Sequence, residues 1–498
     1  MRLGVLGIVL AAAALPPGAH AAASGETIAL EGISGVVPPC ATCHGTHGEG
    51  GGEGLYPRLA GMPAAYLRRQ LTMFRDGTRA SPLMSPMAKG LTDADVAAVA
   101  GYYSGQAAPF PPLPSADAAQ LERGQTLVTV GAWERGVPPC RDCHGPSLQG
   151  VAPAMPTLAG QWPQYLTAQL ESYRAATRSG DPLGLMGRVA RGLSESDVRD
   201  VALYISGLRP GVVPQPPRPA TAEAYTPRPQ TADGFVPPPD SAIPDTPFGD
   251  LVRLGQNIFQ DTPRYAPGFA GNALSCRNCH LDRGRAAASA PMWAAYVHYP
   301  EYRKKDNLVN TLQFRIQGCF RFSQNGKPPV ADDTALTALV SYFYWLAAGL
   351  PVGIKPKVAS YPPLPEPSQP PSRERGAKVY AANCVLCHGE DGQGSAAGGQ
   401  QVFPPLWGPQ SFNWGAGMHQ LDKSAPFIKH NMPLGAGGVL TDQEAWDVAA
   451  YMNSQPRPQD PRFEKDVETT RKLFHAGHEH DFYGKEVDGR ILGAPDAE

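Results

Sequence analysis

The sequence predicts an all-α protein of four small units in tandem, grouped as two pairs on either side of a proline-rich connector. Three features point that way. One pentapeptide pattern recurs four times, starting at Cys40, Cys140, Cys276 and Cys384. The first two copies sit inside an internal repeat whose segments carry the apolar period of amphipathic helices. Between the second and third copies lies "PGVVPQPPRPATAEAYTPRPQTADGFVPPPDSAIPDTP". Such proline density disfavours helix and sheet and suits an extended, semi-rigid spacer.

The four pentapeptides read "CATCH", "CRDCH", "CRNCH" and "CVLCH". They use Cys40, Cys43, Cys140, Cys143, Cys276, Cys279, Cys384 and Cys387, eight of the nine cysteines. C-x-x-C-H is the attachment signature of a c-type haem. Two thiols add across the vinyl groups, and the following histidine becomes the proximal iron ligand, here His44, His144, His280 and His388. Zinc and redox sites also use C-x-x-C pairs, but neither explains a histidine after every pair. Four covalently bound c-type haems are therefore the expected cofactors. A length of 498 residues accommodates units of about a hundred residues each. Gly and Pro exceed a fifth of the chain, a loop-rich composition that a buried macrocycle offsets with apolar core. The net charge is −2 with no long basic run, so nothing suggests a nucleic-acid partner.

The N-terminal stretch "MRLGVLGIVLAAAALPPGAHAAASG" has a basic start, an apolar run and a small-residue site at Ala19-His20-Ala21. It predicts a secretory signal over residues 1–21 and a periplasmic protein, since c-type haem is attached outside the cytoplasm. The other apolar stretch, "ALTALVSYFYWLAAGL", is interrupted by Thr337 and Ser341 and stops before Pro351. It is short for a bilayer span and predicts a buried helix, so no membrane span is expected.

Within the repeat, "RLAG" answers "TLAG", "AYLRRQL" answers "QYLTAQL", and "LTDADVAAVAGYYSG" answers "LSESDVRDVALYISG". Thr92 with Asp95, and Ser194 with Asp197, have the spacing of a capping box with Asp in place of Glu. The unit is thus CxxCH, a loop, a middle helix, a ligand loop and a closing helix. That pattern resembles class I cytochromes c, and the tandem pair resembles periplasmic diheme electron-transfer cytochromes. The expected divisions are cytochrome c units at 22–108 and 117–208, the Pro-rich linker at 209–246, and further units at 247–355 and 368–455. "YPPLPEPSQPPS" separates the last two, and Thr441 with Glu444 predicts another capping box. The tail, 456–498, shows no domain of its own. Its "HAGHEHD" has metal-binding residue types but reads better as a solvated polar loop.

Each iron needs a sixth ligand or an open face. The first unit offers Met84 and Met87, and the second Met186. Met186 lies seven residues before Leu193 and Met84 seven before Leu91, so the repeat selects Met84. In the fourth unit "FIKHNMPLG" supplies Met432, with Lys429 and His430 as neighbouring competitors. The third unit has no such methionine: Met292 is only twelve residues past His280. Cys319 is 39 residues past it, where the other units place methionine, so spacing makes the ninth cysteine the sixth ligand. An inert buried thiol is the bland alternative, yet an unpaired thiol is a liability in an oxidising compartment. Thiolate stabilises ferric iron where methionine raises the potential, so this haem differs from the other three and is a candidate site of chemistry.

The stretch "EYRKKDNLVNTLQFRIQGCFRFSQNGKPP", after "LSCRNCH" and before "FIKHNMPLGAGGVLTDQEAWDVAAYM", resembles the diheme thiosulfate dehydrogenases that form tetrathionate. The resemblance runs from about Phe248 to Glu498 and centres on Arg-x-x-x-Cys-x-x-x-Ser. It implies catalysis at the His280/Cys319 haem, with Arg315 and Ser323 contacting substrate. A second basic contact falls to Arg303 or Lys305, because the chain has lysine where the family pattern has arginine. The first half resembles the diheme partner cytochrome of such enzymes. The implied partners are thiosulfate, tetrathionate and an external electron acceptor, whether a soluble cytochrome, a high-potential iron-sulfur protein or a terminal oxidase. A basic island of Arg303, Lys304, Lys305, Arg315, Arg321 and Lys327 against Glu301 and Asp306 suits anionic substrates. The alternatives are an electron-transfer cytochrome, or the cytochrome subunit of another dehydrogenase, with no substrate of its own.

Overall fold

Each of the four units is closed by its first helix crossing its last. Gly25–Leu30 packs on Asp93–Ser104, Ala118–Thr129 on Glu195–Gly207, Pro247–Gln260 on Thr334–Leu346, and Arg373–Asn383 on Asp442–Asn453. A glycine makes every crossing. A Cβ on Gly25, Gly124, Gly255 or Gly376 would stand 2.1, 2.3, 2.0 or 2.0 Å from the carbonyl oxygens of Ala98, Asp200, Ala338 and Asp447. It would also press on Tyr102, Tyr204, Tyr342 or Tyr451. Only bare backbone fits there.

The computed structural model describes residues 23–113, 115–217, 231–232, 234–303, 308–477 and 480–495. The expected signal segment lies outside these residues. The architecture is helical, and its described strands form three two-stranded hairpins. All three expected capping boxes are present, at Thr92/Asp95, Ser194/Asp197 and Thr441/Glu444. The third unit departs: Asp333 caps Thr334–Leu346 by accepting from Ala335 N.

The middle helices are Ala64–Asp76 and Pro163–Arg174. The ligand segments that follow differ from the expected loops, because they wind into the short helices Met84–Lys89 and Leu185–Gly192. Side-chain acceptors upstream start the turns. Ser81 Oγ accepts from Met84 N at 3.0 Å, and Asp181 Oδ2 accepts from Met186 N at 2.7 Å.

The apolar stretch of the third unit is the buried helix Thr334–Leu346. Leu336, Leu339 and Leu346 are fully buried, each worth about 1.5–3 kcal/mol against exposure. Among the described residues no helix is long and apolar enough to cross a membrane. Met292 packs in this same core. The end of the proline-rich connector also joins it: Phe235 and Ile243 are buried there, and Asp240 reaches Arg283 and Arg285. The second proline-rich stretch docks as well. Tyr361 packs on Phe427 with ring centroids 5.3 Å apart, and Trp446 Nε1 donates to Pro365 O at 3.0 Å.

Candidate active site and haem sites

None of the nine cysteines is in a disulfide, which leaves all four CxxCH pairs able to attach haem. The four histidines are prepared as ligands in one way. Nδ1 of His44, His144 and His388 donates to the carbonyl oxygens of Pro57, Pro156 and Pro404 at 3.1, 3.0 and 2.9 Å. Nδ1 of His280 faces those of Ser289 and Ala290 at 3.1 and 2.9 Å. Occupying Nδ1 fixes the tautomer and leaves Nε2 as the lone pair for iron. Burial lowers the pKa of all four, that of His280 to about 4, so they are neutral at pH 7 as ligation requires. The residues therefore fit the group.

The first two sites share one largely apolar cavity of about 1260 Å³, lined by Cys40, Cys43, His44, Cys140, Cys143 and His144. Met84 and Met186 line it too. Met87 also borders the cavity but packs against the core of the first unit, which Met84 does not. The wall between the two sites is a paired network. Arg79 donates to Gln70 at 2.7 Å and to Gln169 at 2.8 Å, while Arg178 donates to the same two residues at 3.0 and 2.6 Å.

The fourth site opens on a cavity of about 170 Å³ lined by Cys384, Cys387, His388 and Met432, with Cys279 of the third unit at its edge. Lys429 is turned away, donating to Leu440 O at 2.6 Å and pairing with Asp442 at 3.1 Å. Cys143 and Cys387 pack on one apolar cluster with Val151, Val402 and Phe403. Arg277 bridges to Asp142 at 3.2 Å. The second, third and fourth attachment sites are thus neighbours across the two halves.

At the third site the ninth cysteine is not an isolated thiol. Thr311 caps the helix Leu312–Gly318, and the chain then widens into a π-helical turn over Cys319–Ser323. Such turns concentrate at functional positions. Arg315 and Cys319, one helical turn apart, share a face, and Arg315 Nη1 donates to Cys319 Sγ at 2.9 Å. Charge on Cys319 raises the Arg315 pKa against the opposing effect of burial. Cys276 and Cys279 are pushed up to about 12, by burial first and then by the same nearby sulfur. Gln324 links the two places: its backbone N–H donates to Cys319 O at 3.0 Å and its side chain lies 3.9 Å from Cys276 Sγ, so the Cys319 segment runs beside the attachment motif of this haem.

Ser323 ends the π turn, and Asn272 Nδ2 holds its carbonyl at 3.0 Å. Arg303 stands on the hairpin Glu301–Arg303/Leu308–Asn310. Among the described residues no hydrogen bond or ion pair joins it to Arg315 or Cys319. Lys305 lies outside the described residues. Of the basic island, Arg321 and Lys327 face solvent.

Several residues around the site escaped the sequence reading. Tyr361 donates to Cys279 O at 3.4 Å, and burial holds its phenol well above the usual value, as a neutral donor. Gln324 is buried beside Cys276 Sγ at 3.9 Å. Asn413, from the fourth unit, donates to Arg321 O at 2.9 Å and so backs the Cys319 segment. Tyr361 opens a proline-rich run and Asn413 is remote in sequence, so only the fold brings them in.

Residues 267–352 match the SoxA/TsdA cytochrome c domain model, and 25–104 and 121–209 match the cytochrome c model. Residues 371–452 match the model described as cytochrome C oxidase, cbb3-type, subunit III. The chain is 55% identical over 253 residues to a thiosulfate dehydrogenase of Thiomonas intermedia (strain K12), covering 51% of this chain and 80% of that protein. It is 43% identical over 189 residues to a thiosulfate dehydrogenase electron acceptor of Stutzerimonas stutzeri (strain A1501), covering 38% of this chain and 87% of that protein. The structure of the thiosulfate dehydrogenase (TsdBA) from Marichromatium purpuratum, in its "as isolated" form, superposes with a TM-score of 0.85 at 44% identity. That likeness covers 94% of this chain and 98% of the other. With four c-type haem sites, a SoxA/TsdA domain around Cys319 and a diheme cytochrome c portion ahead of it, the chain belongs to the thiosulfate dehydrogenase family.

Proposed function

We propose that the protein oxidises two thiosulfates to tetrathionate and two electrons at the His280/Cys319 site. The observation that carries this reading is the 2.9 Å contact between Arg315 and Cys319, beside the attaching cysteines of the one unit that departs from the repeat. Joining two dianions is an electrostatic problem. At an effective dielectric of about 20 and about 4 Å, their repulsion is on the order of 16 kcal/mol. Arg315 offers a forked cation that binds a sulfonate oxygen with one arm while the other holds Cys319. Ser323 supplies a hydroxyl one π turn away, and Arg303 or Lys305 a second cation. Phe320, fully buried under the turn, fixes the direction of this segment.

When bound, the four haems take up the electrons and carry them one at a time to an external acceptor. Ligation by Cys319 at the third site and by Met84, Met186 and Met432 at the others makes the donating end chemically unlike the relay. Electrons pass from the third site through the fourth into the N-terminal pair; the apolar cluster on which Cys143 and Cys387 both pack supports a passage between the halves there. A periplasmic location follows from the attachment chemistry.

Mixing the purified tetrahaem protein with thiosulfate tests the reading. Bleaching of the ferric spectrum with formation of tetrathionate is expected. Absence of both would leave an electron-transfer cytochrome without a substrate of its own.

A further inference from the structure

The first and last residues of the tail's "HAGHEHD" segment are not solvated, as its composition suggests they would be. His475, the last residue of a π-helical turn, and Asp481 are buried against His419 of the fourth unit, at 2, 3 and 1% exposure. Three of their atoms form a tight triangle. His475 Nδ1 is 3.0 Å from Asp481 Oδ2 and 3.2 Å from His419 Nε2, and His419 Nε2 is 3.2 Å from Asp481 Oδ2. Around the triangle every other polar atom is occupied. His419 Nδ1 meets Ala416 O at 2.5 Å, His475 Nε2 meets Asp460 Oδ2 at 3.1 Å, and Asp481 Oδ1 accepts from Tyr483 N at 3.0 Å. Arg462 in turn pairs with Asp460 at 2.7 Å. Tyr483 stacks on His475 at 4.0 Å and Trp414 lies edge-on to His419 at 5.8 Å, which shuts the cluster from water.

Counting protons shows what the triangle lacks. Facing a carbonyl, His419 Nδ1 must carry a hydrogen, so neutral His419 presents a lone pair at Nε2. Facing a carboxylate, His475 Nε2 must carry one too, so neutral His475 presents a lone pair at Nδ1. The third corner is a carboxylate oxygen. Three acceptors then converge in a dry site with no donor among them. A proton on His475 Nδ1 repairs its edge to Asp481 and leaves His419 Nε2 against the same carboxylate. A second proton, on His419, would set two imidazolium rings edge to edge 3.2 Å apart. One cation at the apex satisfies all three edges together. Around a tetrahedral zinc with ligands at about 2.0–2.1 Å, ligand atoms stand about 3.3 Å from one another, close to the 3.0–3.2 Å found here.

We propose that His419, His475 and Asp481 form a three-ligand site for a divalent first-row metal, zinc by its two-imidazole, one-carboxylate donor set, with the fourth position left to a small ligand such as water. The outer partners are those of a metal site. A backbone carbonyl orients His419, and the Asp460 carboxylate, backed by Arg462, orients His475. The metal ties residues 456–495 to the loop 411–420. Asn413 on that loop donates to Arg321 O, and its backbone N–H donates to Phe322 O at 3.2 Å. The site thus braces, from behind, the segment that carries Cys319. It stands on the side-chain geometry of the tail and is independent of the proposed reaction.

The test is metal analysis of the full-length tetrahaem protein after dialysis against metal-free buffer and then excess zinc chloride. About one zinc per chain beside the four irons is expected, with an absorption-edge fine structure showing only nitrogen and oxygen at about 2.0–2.1 Å. His419→Gln and His475→Gln should each lower zinc at least about tenfold while the iron content stays. Wild-type protein holding less than about a tenth of a divalent metal per chain overturns the proposal. So does zinc with sulfur in its shell, or zinc retained in both variants. If the variants fail to accumulate, the wild-type stoichiometry and shell decide alone.

Discussion

The N-terminal pair of haem sites and the C-terminal pair solve different problems with the same helical unit. In the first half, two near-copies share one cavity, two buried arginines reach the same two glutamines, and each site offers a methionine. In the second half the copies diverge. One unit carries Cys319 at the spacing where the others carry methionine and sets Arg315 on it, while the other grows a tail that packs behind that segment. Repetition suits a relay, where equivalent sites pass electrons with little chemical demand. Divergence falls at the site proposed to join two sulfur atoms.

The most direct way to break this comparison is to give the third site the methionine that the other three units carry at the matching spacing. Cys319→Met should abolish tetrathionate formation and remove the low-spin thiolate signal from the electron paramagnetic resonance spectrum, while the potential of that site rises. Retention of wild-type turnover would mean that the divergence of the halves is not catalytic. Arg315→Ala keeps the sulfur and removes the cation. Loss of one preorganised electrostatic contact costs about 10²–10³ in kcat, and Arg315→Lys should recover only part because it lacks the forked geometry. Steady-state kinetics with thiosulfate measures both.

The next effect concerns stability. Asp240, from the end of the connector, is buried between Arg283 at 2.9 Å and Arg285 at 2.6 Å. The contact with Arg283 is close but misaligned for a hydrogen bond. Burial alone would raise the Asp240 pKa, and the two arginines outweigh it, so the net shift is downward. A carboxylate lowered in the folded state stabilises above the unfolded value, about 3.9, and that contribution is lost as pH falls through the folded value. Asp240→Ala should cost about 3–5 kcal/mol near neutral pH, because it leaves buried cations uncompensated. It should also flatten the acid limb of the unfolding profile.

A smaller effect tests what the halves have in common. Gly25→Ala, Gly124→Ala, Gly255→Ala and Gly376→Ala each place a methyl against a carbonyl at 2.0–2.3 Å. Overpacking of this kind costs about 1–3 kcal/mol, and thermal unfolding should show all four within that range. Equal losses would mark the crossing as the conserved element of the unit while its ligands diverge.

What the sequence made legible follows from how local each signal is. The four CxxCH motifs, the capping boxes and the repeat are contiguous strings, and the spacing from His280 singles out Cys319, which the fold sets against Arg315. The crossing glycines were harder to read, since a glycine in a helical pattern looks like a weakness until the partner helix is seen. Tyr361 was hidden by proline: a run read as a separator docks its first residue onto Cys279. His419, His475 and Asp481 come together across 56 and 62 positions of separation. No local composition rule reveals such a cluster, and "HAGHEHD" by itself looks solvated. The ligand segments wind into helices because Ser81 and Asp181 cap them from upstream, a side-chain detail that their own residues do not carry.

The smallest expected effect separates the third unit from the rest at its closing helix. Thr92, Ser194 and Thr441 each accept from the N3 amide, while the N3 carboxylate accepts from the cap residue's own N–H, so two orphan donors are satisfied at once. The Asp333 side chain accepts from Ala335 N, at 2.7 Å, and the N3 residue is Leu336, which has no carboxylate to reciprocate. Replacing a capping Ser or Thr by Ala costs about 1 kcal/mol, and Thr92→Ala, Ser194→Ala and Thr441→Ala should each show that loss in chemical denaturation. Asp333→Ala removes one bond and should cost less, since the helix it starts is held by its own apolar core, with Leu336 and Leu339 fully buried. An equal or larger loss at Asp333 would show that the third unit depends on its helix terminus as the repeated units do, and that its divergence is confined to the ligand segment.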